Sequence, residues 1–213
     1  MAGALMAFAG YGSSQFLVSH MVRNYDLGAT LPEEIANASY ALGAIGGIAT
    51  GLGTFLGGFL ADRMAPKHPR VLAWLPALGM VIAIPLYILS FIQTEFMWAF
   101  AFLMVAPIFH YMYLGPMYGV VHSVAQPLQR ATAVAIVLLV VNLIGYGLGP
   151  PFVGFANDFF ASQILAESGL TMAQCGEAAN AAACAAAEAT GLKYALGCTI
   201  LVLAWAPVHV LLV

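Results

Sequence analysis

The chain has 213 residues, of which 62% are hydrophobic and only 7% charged, with a formal net charge of -3. So little polar surface excludes an ordinary soluble domain, and six basic residues in all exclude a nucleic-acid partner. The apolar residues come in long continuous runs, which excludes a closed barrel with its short alternating segments; the fold class is an all-α membrane protein.

Six runs, at 2–22, 35–61, 71–92, 96–121, 131–155 and 194–213, reach the roughly twenty residues that a helix needs to cross about 30 Å of hydrocarbon. The first run has no Lys or Arg before it and continues through His20 to Val22, which reads as a spanning helix and not as a secretory signal. It carries Tyr11, Ser13, Ser14 and Gln15, polar groups suited to a cavity wall or to bonds between helices. The second run holds seven glycines. The steps Gly43, Gly47, Gly51 and Gly53, Gly57 set small residues along one side, as close helix packing requires and as a sliding surface would use.

The fourth run places His110 near its middle, followed by Tyr111, Tyr113 and Tyr118. A histidine at that depth is a candidate hydrogen-bonding group or proton carrier, with a structural bond to a neighbouring helix as the plainer reading. Tyr111 and Tyr118 superpose at helical spacing, whereas Tyr113 is expected to point elsewhere. In the fifth run Asn142 precedes Gly145, Gly147, Gly149, Pro150, Pro151 and Gly154. The prolines interrupt the backbone ladder, so a bend is expected near Pro150, serving as a gate or as a static kink.

The segment 156–193 reads as a long outer loop with an Ala-rich helical piece, too polar at Gln174, Glu177, Asn180 and Glu188 to span easily. Cys175 and Cys184 share it, while Cys198 lies in the last run. Two readings of that pair stay open: a disulfide in an oxidising compartment, or small residues in an alanine-rich stretch.

Orientation follows the basic residues of the short loops. Arg63, Lys67, Arg70 and Arg130 fall on one side against Arg23 and Lys193 on the other, which predicts both chain ends in the cytoplasm and a multi-pass protein of the bacterial inner membrane. A faint internal echo accompanies this topology. Gly58-Phe59-Leu60-Ala61-Asp62 closes the second run, and Gly154-Phe155-Ala156-Asn157-Asp158 closes the fifth. Each is the middle member of a group of three, the arrangement of two inverted three-helix repeats in one six-helix bundle.

Between the second and third runs stands Gly58-Phe59-Leu60-Ala61-Asp62-Arg63-Met64-Ala65-Pro66-Lys67-His68-Pro69-Arg70. It resembles the G-x-L-A-D-R-x-G-R-R loop of the major facilitator superfamily, departing where Ala65 replaces the second glycine and Pro66 the first basic position. Phe8-Ala9-Gly10-Tyr11-Gly12, Tyr113-Leu114-Gly115-Pro116 and Asn142 to Pro150 look like the carboxy-terminal half of the spinster-like branch. The resemblance implies half of a secondary transporter working by alternating access, with a missing amino-terminal six-helix half or a second copy as partner. The chain then reads as a fragment of a longer reading frame. The cargo implied is a small amphiphile or organic anion, of lysolipid or sphingolipid type.

Within that reading Gly58, Asp62, Arg63, Lys67 and Arg70 form a candidate conformational latch, because a carboxylate at a helix end can pair in one helix arrangement and separate in another. The plainer role of those cations is to set topology and touch lipid phosphates. The candidate cavity is Tyr11, Gln15, His110, Tyr111, Tyr118 and Asn142, an aromatic and amide lining suited to an amphiphile. Gly43, Gly47, Gly51, Gly149 and Pro150 are the candidate gating and packing residues. A coupling proton is a candidate partner beside membrane lipid, but no Asp, Glu, Lys or Arg lies deep in any run, which implies that a carboxylate relay sits in the partner half. No catalytic motif, phosphate loop, cofactor site or metal set stands out. The rival reading is a membrane interaction protein, or an incomplete fragment without activity alone.

Overall fold

The computed structural model describes residues 2–211, which form six long helical segments. They are α1 (Ala2–Asn24), α2 (Leu31–Met64), α3 (Val71–Ile92), α4 (Phe96–Val124), α5 (Arg130–Glu167) and α6 (Ala178–Leu211). All but α1 are apolar enough by composition to cross a membrane. α1 is long enough but more polar, and it can be so because it packs on α2, α5 and α6, with Ser13 and His20 buried against protein rather than lipid.

The bundle is small inside and large outside. Its buried positions are dominated by Ala, Gly, Met and Leu, while Phe55, Trp98, Leu143 and Phe155 project outward. Lipid tails are as apolar as these side chains, so nothing drives the large residues inward, and small residues at the contacts let helices approach for dispersion attraction.

α2 contains a π-helical turn at Ile45–Ala49, where the Thr50 hydroxyl donates to the Ile45 carbonyl at 3.3 Å. The wider turn rotates the later part of the helix relative to the earlier part. Gly51 and Gly53 both follow that turn and, two residues apart, lie about 200° round the helix from one another, so the two glycine series do not share one side. Gly53 and Gly57 meet the backbone of α4, where an added Cβ would strike Ile108 and Met112, whereas Gly43, Gly47 and Gly51 face open space. The packing role expected of those last three is not found within this chain.

α1 and α5 meet in the same manner. A Cβ on Gly149 would come within 2.7 Å of the Phe8 carbonyl and 3.0 Å of the Gly12 nitrogen. Gly53 precedes Gly149 by the same separation as Asp62 precedes Asp158, and Gly12 precedes Ile108 by that separation again. Exchanging the first three helices with the last three thus carries the Gly149–Gly12 contact onto the Gly53–Ile108 contact, as inverted repeats require.

Two other boundaries differ from the expectations. The region 156–193 is mostly helix, since α5 runs unbroken through Pro150 and Pro151 to Glu167 and α6 is already α-helical from Ala181. Alanine gives the strongest helix propensity, and its small side chain lets α6 lie against α5: a Cβ on Gly191 would stand 2.9 Å from the Ala161 nitrogen. Only 168–177 lies between them. There Gly169, at φ 72°, stops α5, and Leu170 N–H donates to the Leu165 carbonyl at 3.0 Å. Cys175 and Cys184 are joined in a disulfide, with Cα atoms 5.7 Å apart.

Candidate functional site

α4 breaks at Met112 and Tyr113, resuming at Leu114. The break changes the aromatic geometry expected from an uninterrupted period. Tyr113 does not point elsewhere but stacks within the same cluster, its ring 6.1 Å from His110 and 6.3 Å from Tyr111. Tyr11 of α1 stacks on Tyr146 of α5 at 3.8 Å, with Tyr111 and Tyr118 close by. Five tyrosines from α1, α4 and α5 thus share one region. Tyr146 is half-exposed and Tyr11, Tyr111 and Tyr118 are partly exposed, so phenol groups reach a surface that this bundle leaves uncovered.

Gln15 lies one turn beyond Tyr11 on the same face of α1 and is exposed. Asn142 lies one turn before Tyr146 on α5, its amide donating to the Leu138 carbonyl of its own helix at 2.8 Å. The two amides extend the aromatic patch. Tyr146 is the member of the patch that sequence reasoning does not single out, although its four-residue spacing from Asn142 is a signal that points to it.

His110 stands behind this patch and not in it. Its ring is fully buried, with Nε2 3.1 Å from the Met6 carbonyl of α1 and Nδ1 3.3 Å from the Tyr87 hydroxyl of α3. A carbonyl only accepts, so Nε2–H is the donor, and in the neutral ring Nδ1 then accepts from Tyr87. Both nitrogens are satisfied. The histidine cross-links three helices, which is the structural reading of that residue.

The basic loop is a separate feature at one end of the bundle. Asp62, Arg63, Lys67 and Arg70 are all exposed, on and after the last turn of α2. The pairing expected of Asp62 with Arg63 or Arg70 is not made; among the described residues the ion pair present is Arg23–Glu188, at 3.2 Å on the opposite end. Gly58 has a different part, because its backbone lies where a Cβ on Gly115 would fall, at 2.5 Å from its Cα. That contact completes the backbone-to-backbone seam between α2 and α4.

Coverage of the helices is uneven. Only 28% of the apolar stretch of α2 and 11% of that of α5 is buried within the chain, against 44% for α3. The uncovered side of α2 is the one with Gly43, Gly47 and Gly51.

No protein-family model matches this chain. A curated protein described as an MFS-type efflux pump, from Mycolicibacterium smegmatis, is 30% identical over 165 residues, covering 78% of this chain and 37% of the pump. Two crystal structures of a bacterial homologue of the human lysosomal transporter Spinster, inward-facing and either unoccupied or occupied, are each 33% identical and cover 99% of this chain. Their TM-scores are 0.82 and 0.83, over 45% and 47% of the solved chains. The chain spans less than half the length of each of these relatives. It is a multi-pass membrane protein with the fold of one six-helix half of a major facilitator transporter of the spinster-like branch.

Proposed function

We propose that this spinster-like chain works as the carboxy-terminal half of a secondary transporter, closing a central cavity together with an amino-terminal six-helix half. The observation that carries this reading is that Tyr11, Tyr111, Tyr118 and Tyr146, from α1, α4 and α5, are partly exposed on a bundle in which α5, followed by α2, is the least covered of the spanning helices. A patch of phenols and amides offers apolar faces with hydrogen-bonding tips, which suits an amphiphile with an apolar body and a polar head, of lysolipid or organic-anion type. Alternating access needs two bodies, and glycine seams of the kind between α1 and α5 and between α2 and α4 let helices rock without side-chain interlock.

In this reading the basic end faces the cytoplasm, because four of the six Lys and Arg residues lie there, and the membrane is the bacterial inner membrane. Asp62 is unpaired in the present arrangement and is expected to find its cation when the bundles rock. Proton coupling, if the transporter uses it, falls to groups of the partner half, since His110 is held by two neutral partners.

Proteoliposomes made with both halves test this directly. Gradient-driven flux of a lysophospholipid or an organic anion is expected; a folded two-half complex that moves no member of either class would overturn the assignment.

A further inference from the structure

At the basic end the helices splay and leave a cleft of about 770 Å³ inside this one bundle, between the ends of α1, α3, α4, α5 and α6. This lies within the range of about 300–1,000 Å³ typical of small-molecule sites. Its walls are mostly apolar, with Met6, Met117, Val137 and Val141 among them, and Tyr113, His209 and Arg70 are its polar members. Arg70 also lines a shallower neighbouring hollow with Lys67 and His68. Among the described residues no acid pairs with Arg70 or Lys67.

We propose that this cleft binds an anionic phospholipid of the adjoining leaflet, one acyl chain lying between α4 and α5 and the phosphate resting on Arg70. Charge complementarity and the route of entry select that occupant. The cleft wall passes into Ile136 and Val140, which are exposed and apolar, so the occupant enters from the hydrocarbon and not from water. The guanidinium gives a planar fork for phosphate oxygens, and Lys67 adds a point charge beside it. A wholly apolar occupant would leave these cations idle, and a small free anion would leave the apolar wall uncovered. This inference does not rest on the transport reading, and flux without lipid binding, or the reverse, separates the two.

The test uses the full chain in nanodiscs of phosphatidylcholine titrated with phosphatidylglycerol, with bound lipid counted by native mass spectrometry. One phosphatidylglycerol per chain is expected to persist. Arg70→Gln should weaken it about tenfold, the worth of one charge-assisted hydrogen bond to phosphate. Arg130→Gln, at the same end but outside the cleft wall, should leave it unchanged. A phosphatidylglycerol carrying a diazirine on its acyl chain supplies a readout on the unmodified protein, with crosslinks expected on Met117 to Val121 and Ile136 to Val141. Equal loss from both arginine variants, no preference over phosphatidylcholine, or crosslinks confined to outward residues such as Trp98 and Leu143 would each overturn the proposal.

Discussion

His110 shows how much a residue's meaning depends on what closes around it. A histidine deep in an apolar run is read by default as a working group, yet here Met6 and Tyr87 take both ring nitrogens. His110→Ala would strand a carbonyl and a hydroxyl in the core, at about 1–3 kcal/mol for each group. A lowered melting temperature in detergent with an unchanged pH profile of flux is the expected result, and a shifted profile would return the residue to a working role. Asp62 is the opposite case: exposed, unpaired and therefore cheap to change for stability. Asp62→Asn should insert normally but slow transport by the two-half protein about tenfold, within the usual range of a coupling contact. Wild-type flux in that variant would remove the latch.

Among the elements, α2 and α4 both depart from ideal periods. α2 carries a π-helical turn and two glycine series, of which Gly53 and Gly57 face inward and Gly43, Gly47 and Gly51 outward, and the break in α4 brings Tyr113 beside His110. Gly53→Ala would drive a methyl into the Ile108 backbone, with no flexible side chain to yield, and is expected to cost about 1–3 kcal/mol as overpacking. Gly47→Ala meets nothing within this chain and should leave its melting temperature unchanged or slightly raised. Equal effects from the two would contradict the seam. In the α5–α6 connection, the Cys175–Cys184 disulfide predicts that alkylation of the denatured protein adds one label, on Cys198, without reductant and three with it.

For the whole molecule, the two ends differ chemically. One carries Arg63, Lys67, Arg70 and Arg130; the other carries the Arg23–Glu188 pair and the disulfide. Disulfides persist in oxidising compartments, which supports the same orientation as the basic residues do. In intact cells a membrane-impermeant thiol reagent should label a cysteine introduced at Ala179 and leave one at His68 unlabelled. The reverse pattern would invert the topology. The uncovered faces of α2 and α5 belong to this scale too, because a helix exposed on its glycine side gains little from lipid and more from another helix.

Hydrophobic run length and the motifs that resemble the major facilitator superfamily were enough to determine from sequence that this is a polytopic all-α chain with that type of fold. Those features are local, since bilayer thickness sets helix length. The helix within 156–193 is legible in the alanines, but the polarity of Gln174, Glu177, Asn180 and Glu188 reads as an outer loop. Gln174 and Glu177 stand at the turn between α5 and α6, whereas Asn180 lies in the first turn of α6 and Glu188 further along it, paired with Arg23. Which glycines touch, which tyrosines gather and whether His110 is spent on structure were decided by tertiary packing alone. Each depends on helix rotation, and a single π-helical turn or a two-residue break resets that rotation for every residue beyond it.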